Sequence, residues 1–288
     1  MKEKEAFFYL RASQNSDGGW GYSEGHGSVL EATAMAMLAL ARGPNSTDVL
    51  AVATRWLLAA QHDDGGWGLA ADDPESGWQT AWAGLVLARL GGNDEALRRA
   101  ARWLLNANAW EFDQSQPNQG RDTVLNIDLR LHGWTWLPNQ SSWVEPTALA
   151  MLALQASPLA AEAQVQLEEA VRYLQDRRCR DGGWNFGNPY MFDAALPARA
   201  HPTAFAILAL VAVSPDAILL ADLELLRQEA RQEGSALALG LAALALQAAG
   251  EGASEELASL AALQGPDGSW DASPHRTAVA LLALQGGL

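Results

Sequence analysis

Cysteine is nearly absent: the 288 residues hold one, Cys179. A lone thiol forms no disulfide within the chain and fits a reducing compartment. Basic residues are scarce as well, 19 Lys and Arg against 34 Asp and Glu, for a net charge of −15. An acidic surface repels phosphate backbones and anionic lipid, which argues against nucleic acid and against electrostatic membrane docking. No apolar run reaches the roughly 20 residues that cross a bilayer, the stretch 235–250 included. The N-terminus, Met1 to Glu5, is charged and runs into a helix-like pattern without an apolar leader. A cytoplasmic protein with no transmembrane segment is the expectation. What the chain does have is tryptophan, 12 of them, and they are not scattered.

Trp20, Trp67, Trp184 and Trp270 each close one phrase. Tyr9-Leu10 leads to Gln14, Gly18 and Trp20; Trp56-Leu57 leads at the same spacing to Gln61, Gly65 and Trp67. Tyr173-Leu174 leads to Arg178, Gly182 and Trp184, and Ser259-Leu260 to Gln264, Gly268 and Trp270. Such self-similarity marks a repeat architecture. A second phrase follows each turn, dominated by Ala and Leu: 31–40, 79–87, 145–154, 201–210, 235–246 and 276–284. These segments favour helix and are apolar on nearly every face, so they are buried helices. The segments before the turns, Asp48 to Gln61, Asp94 to Asn106 and Glu162 to Gln175, are charged on one face and apolar on the other, the mark of outer helices.

A hairpin of this kind cannot bury its inner helix alone and must stack on neighbours. About six of them closing on themselves predict an all-α fold, an α/α toroid with the apolar helices inside. Length alone suggests roughly two domains, but a repeat running end to end predicts one, 1–288. In the turn phrase, the glycines permit positive φ, the Gln is placed to bond turn backbone, and the Trp packs between hairpins. A calcium loop at Asp17 or at Asp63-Asp64 is the functional alternative, but no spaced run of further oxygen ligands follows.

Two repeats depart. In the third, Trp103-Leu104 opens the phrase, but Asn108 is followed by Ala109-Trp110 with no Gly–x–Trp. About 35 residues, 109–143, then intervene, a length that is functional when ordered. They carry Trp110, Phe112, Trp134, Trp136 and Trp143, with Asp113, Asp122, Asp128 and His132, and read as a lid or pocket wall. A second long connection, 185–200, holds Phe186, Tyr190 and Phe192. The fifth repeat has only a short turn, Arg231 to Gly234, and no Trp.

The aromatic–Leu–x3–Gln–x3–Gly–x–Trp phrase resembles the repeat of squalene–hopene and oxidosqualene cyclases. The wider hairpin resembles the β-subunit of protein prenyltransferases, and the likeness covers nearly the whole chain. It implies an isoprenoid or other hydrophobic small molecule as partner, bound in a central aromatic cavity. A repeated Thr-Ala aligns the inner helices, and two residues before each Thr stand Glu31, Trp78, Glu145, His201 and His275, with Ser235 nearest in the fifth repeat.

The proton-donating Asp of the cyclases would fall on Glu31 or Glu145, expected as acid or base; no Asp-x-Asp-Asp is present. The plainer role of these two residues is helix capping. His201 and His275 fall at the histidine slots of the prenyltransferases, but the intervening slot reads Glu233-Gly234-Ser235. Without that thiolate no zinc site is expected, and no cofactor. Arg276 would hold a phosphate at a positive helix end, and Trp82, Trp134, Trp136 and Phe205, with Trp78, would offer aromatic faces to a substrate or a cationic intermediate. The rival is a non-catalytic lipid-binding or protein-docking toroid that has lost the acid and zinc motifs. A carbohydrate-active toroid with paired carboxylates is a third, with slots that read as too apolar for sugars.

Overall fold

The computed structural model describes residues 2–107, 121–122 and 124–288. Its helices fall into six hairpins: α1 (Lys2–Ala12) with α2 (Leu30–Ala41), α3 (Thr47–Ala59) with α4 (Gln79–Leu90), and α5 (Asp94–Asn106) with α6 (Val144–Gln155). Then come α7 (Gln164–Asp176) with α8 (Ala200–Val213), α9 (Leu220–Glu233) with α10 (Ala236–Ala248), and α11 (Ser254–Ala262) with α12 (Pro274–Leu284). The even-numbered helices pack each on the next, and α12 packs back on α2, which closes the ring. Their Ala- and Leu-rich faces are buried nearly all round. The outer helices bury one stripe only; in α5 it is Leu97, Ala100, Ala101 and Leu104, the spacing of one helix face.

The turn phrase holds hairpins together with the same atoms each time. The indole Nε1 of Trp20, Trp67, Trp184 and Trp270 donates to the carbonyl of Leu10, Leu57, Leu174 and Leu260. Each backbone N–H donates to a threonine Oγ1 on the inner helix, Thr33, Thr80, Thr203 or Thr277, at 2.9–3.0 Å. Gln61 Nε2 spans its own turn and the next outer helix, donating to Gly65 O at 3.0 Å and Ala96 O at 3.1 Å. Gln14 does the same toward Val49 and Gln264 toward Lys2, so the last turn ties to the first helix. Gly268 has φ 88°, and a Cβ there would lie 2.6 Å from Glu5 O; only glycine lets the ring close that tightly.

The third turn corrects the expectation drawn for it. Gly133-Trp134 completes the phrase after the insertion: Trp134 Nε1 donates to Leu104 O and its N–H to Thr147 Oγ1, both at 2.8 Å. The insertion lengthens this turn without replacing it, because the chain re-enters the same hydrogen-bonding slots. Its described part includes a small hairpin, β1 (Arg121–Asp122) with β2 (Ile127–Asp128). A second hairpin, β3 (Tyr190–Met191) with β4 (Ala194–Ala195), lies in the fourth connection, and Phe192 N–H donates to Val124 O between the two. Trp110, Phe112 and Asp113 lie outside the described residues. At the fifth hairpin, Gly234 ends α9 in the left-handed region, and ion pairs take over the tie. Arg231 and Arg227 both reach Glu256 on α11, whose side chain is fully buried.

Candidate active site at the mouth of the ring

The inner helices all present their N-terminal ends to one rim. A carbonyl two residues beyond a turn Trp knits that rim by accepting from the N-terminus of the preceding inner helix. Leu69 O accepts from Leu30 N–H, Trp136 O from Trp78 N–H and Phe186 O from Val144 N–H. Tyr22 O accepts from the Ser273 hydroxyl at the start of α12. Residues at the first turns of the inner helices therefore face one another across the mouth.

They enclose a cavity of about 450 Å³, lined from all six inner helices: Glu31, Trp78, Glu145, His201, Leu237 and His275, with Arg276 beside the last. The volume lies in the range of small-molecule sites. Glu31 and Glu145 occupy the second positions of their helices, not the caps, which are Val29 and Trp143. Both carboxylates are buried and turn into the cavity, where the positive ends of the helices favour them. Each meets a histidine on a neighbouring inner helix, Glu145 of α6 with α8 and Glu31 of α2 with α12. His201 Nε2 lies 3.4 Å from Glu145 Oε1, and His275 Nε2 lies 3.6 Å from Glu31 Oε1.

The charges follow from this packing. Burial alone pushes the Glu31 carboxyl up, but His275, the Tyr22 hydroxyl and the charge of His201 outweigh it and hold the carboxyl below its ordinary value. Burial likewise works against a proton on His201, yet Glu145, helped by Glu31, wins and holds the imidazole above its ordinary value. The mouth therefore favours the ionised form of Glu31 and the protonated form of His201.

Three expected aromatic residues sit elsewhere. Trp134 belongs to the third turn and does not line the cavity, because its indole and backbone are committed to the hairpin. Trp82 and Phe205 are buried below the mouth, packed edge to face at 5.8 Å, and Phe205 touches the His201 ring at 5.1 Å. They form the floor. Trp78 and Trp136 do line the cavity, crossed at 89° and 5.0 Å. The site therefore lies at the mouth of the ring, with its aromatic centre packed shut beneath it.

Sequence reasoning missed Tyr22. Its hydroxyl donates to Glu31 Oε2 at 2.6 Å and its ring stands edge-on to His275 at 5.4 Å. Tyr22 follows Trp20 by the same offset that places Trp136 after Trp134, and that repeated offset was the available signal. Ser23, Leu237 and Ser273 complete the lining. Among the described residues no group of three or more His, Cys, Asp or Glu is arranged to hold a metal. The one thiol, Cys179, is buried in the fourth turn, and burial pushes it up to about 11. It is an inert side chain.

No known protein family and no curated protein sequence matches the chain. Solved structures do. A protein from Actinoplanes is 19% identical, with 99% of this chain and 98% of that one covered and a TM-score of 0.68. An alpha-amylase from Clostridium perfringens is 13% identical over 99% and 98% of the two chains, with a TM-score of 0.67. A variant of the type II terpene cyclase MstE from Scytonema, in complex with its product merosterolic acid A, is 17% identical over 99% and 95%, with a TM-score of 0.62. Likenesses at such identity establish the fold alone: this chain is an α/α toroid.

Proposed function

We propose that the chain is a terpene cyclase-like enzyme that takes an isoprenoid-type molecule into the mouth cavity and works on it by acid–base chemistry. The observation that carries this reading is the convergence of two Glu–His pairs and the Trp78–Trp136 pair on one cavity of about 450 Å³. His201, protonated and backed by Glu145, is the acid. Glu31, ionised and fixed by Tyr22 and His275, is the base or the counter-charge to a cationic intermediate. The indole faces of Trp78 and Trp136 stabilise positive charge that develops between them. Arg276 and the inner-helix N-termini hold an anionic head group.

The acid strength narrows the substrate. An imidazolium paired with a carboxylate is too weak to protonate an unactivated alkene, and it suits a group that breaks open with modest assistance, such as an epoxide or an allylic diphosphate. Purified protein is incubated with farnesyl and geranylgeranyl diphosphate, 2,3-oxidosqualene and squalene, and products are read by mass spectrometry. Turnover of an activated substrate that is lost in Glu145→Gln supports the reading. No turnover and no binding of any of the four would sink it.

A second reading has one specific support. The lining combines carboxylates, imidazoles, a guanidinium and hydroxyls with two indoles, which is more polar than the sequence suggested and suits a sugar. The alpha-amylase of the same fold gives that reading a precedent. Saturable binding of maltooligosaccharides, with the isoprenoids inert, would favour it.

A further inference from the structure

A second cavity lies outside the mouth, between the described part of the insertion, the end of α7 and the fourth connection. We propose that it is a binding site for a small aliphatic carboxylic acid. Its volume is about 160 Å³, close to the roughly 150 Å³ of an apolar cavity that holds benzene, which sets a ligand on the order of six to eight non-hydrogen atoms. The segment from Leu125 to Leu131 runs along it with its alternate residues, Leu125, Ile127, Leu129 and Leu131, lining the wall. This alternation gives an extended segment one apolar face. The intervening residues Asp128 and Arg130 pair with each other.

The polar end is set by His132 and Arg177. Glu169 Oε1 accepts from the His132 backbone N–H at 3.1 Å and lies 3.4 Å from its Nδ1. That carboxylate lies beside Nδ1 and favours a proton there, which leaves the other nitrogen as the acceptor of the neutral ring. Nε2 is buried and finds no hydrogen-bond partner among the described residues. A buried polar atom without a partner is costly, and a ligand that supplies the partner recovers that cost. The Arg177 guanidinium, held by Asp176 and stacked on Tyr173 at 4.6 Å, keeps positive charge at the same cavity.

A carboxyl group fits this pair whichever side carries the proton. As an acid it donates its O–H to neutral Nε2; as a carboxylate it accepts from a protonated ring and from the guanidinium. An alcohol of the same shape can donate to Nε2 or accept in its turn, but it brings no negative charge to the guanidinium and only one oxygen to the pair. A branched five-carbon acid such as 3-methylbutanoate fills the aliphatic wall with its methyl groups.

The test uses the full chain, labelled with 15N in its five histidines, titrated with 3-methylbutanoate and separately with 3-methylbutanol. Saturable binding that shifts the His132 Nε2 resonance is expected, with the alcohol at least about tenfold weaker. His132→Phe removes the partner and Leu129→Trp fills the space; each is expected to abolish binding while the far-UV circular dichroism is unchanged. Two variants are used so that the loss of fold in one leaves the other to decide. No saturable shift up to about 10 mM acid, equal binding of acid and alcohol, or binding that survives in a folded variant would each overturn the proposal. The outcome is independent of chemistry at the mouth, since Glu31 and Glu145 line a different cavity.

Discussion

The turns and the mouth are built from the same repeat, and they have diverged to opposite degrees. Thr33, Thr80, Thr147, Thr203 and Thr277 each accept the backbone N–H of a turn tryptophan. Two residues before each stand Glu31, Trp78, Glu145, His201 and His275. The first position is a hydrogen-bonding node between neighbouring elements and needs a side-chain hydroxyl, which threonine supplies in all five. The second faces the cavity and is released from that constraint, so each repeat places a different chemical group there. Within one chain, invariance across repeats marks what builds the ring, and divergence marks what uses it.

The sharpest way to break this contrast is to exchange charge for shape at the mouth. Glu145→Gln keeps the side-chain volume and removes the carboxylate. If His201 is the acid, turnover falls by about 10²–10⁴-fold, while His201 can shed its proton and spare the fold a buried unpaired charge. Chemical unfolding is therefore expected to move by no more than about 1 kcal/mol. A loss of stability that matches the loss of activity would make Glu145 a structural residue like the threonines.

The converse substitution is at a turn. Trp67 is fully buried and its indole donates to Leu57 O, so Trp67→Ala removes a large buried ring and orphans a carbonyl. A cost of about 3–5 kcal/mol is expected in urea unfolding. Whatever stays folded should still bind a mouth ligand. Trp134→Ala should cost about as much, even though the third turn carries the insertion. If Trp134→Ala instead spared stability and removed binding, Trp134 would belong to the mouth after all.

Most of the ring was legible because four of its turns state themselves in five residues at fixed spacing. The third turn was misread because its Gly133-Trp134 stands about 30 residues beyond Leu104, and a fixed-spacing reading has no reason to look so far. The tertiary hydrogen bonds to Leu104 and Thr147 ignore that distance. Glu31, Glu145, His201 and His275 could be placed at one rim from helix register alone. Who pairs with whom could not, since Glu31 meets His275 across the closure of the ring between the two ends of the chain. Trp82 and Phe205 show the other limit. Helix register puts them on an inner helix, but only packing decides that they lie beneath the cavity and do not line it.

Titration separates Glu31 and His201 from the turn tryptophans. Glu31 sits below its ordinary value of 4.5, so its contribution is present above that pH and is lost as pH falls through the lowered value. His201 sits above its ordinary value of 6.5, so its contribution is complete below 6.5 and is lost as pH rises through the raised value. The mouth thus adds most between about pH 4.5 and 6.5. His201→Gln should abolish the alkaline loss, read as a flatter thermal midpoint from pH 6 to 9, by an amount equivalent to about 1 kcal/mol or less. Trp67→Ala should lower the midpoint at every pH and leave the curve's shape intact. A His201→Gln curve that kept the wild-type shape would remove His201 from the titrating group.

The smallest effect tests the residue that joins the two regions. Tyr22 belongs to the first turn by its backbone, since its carbonyl accepts from Ser273, and to the mouth by its hydroxyl on Glu31. Tyr22→Phe leaves the backbone bond and the ring contact with His275 in place and removes one hydrogen bond to a carboxylate. That side chain is 40% exposed, so water replaces part of what is lost and stability should change by less than about 1 kcal/mol. Glu31 should titrate higher, because one of the bonds holding it ionised is gone, and the acid limb of the activity profile should shift upward with it. An unchanged acid limb would mean that His275 and His201 fix the charge of Glu31 without it, and that Tyr22 serves the rim as Leu69 does, through the main chain.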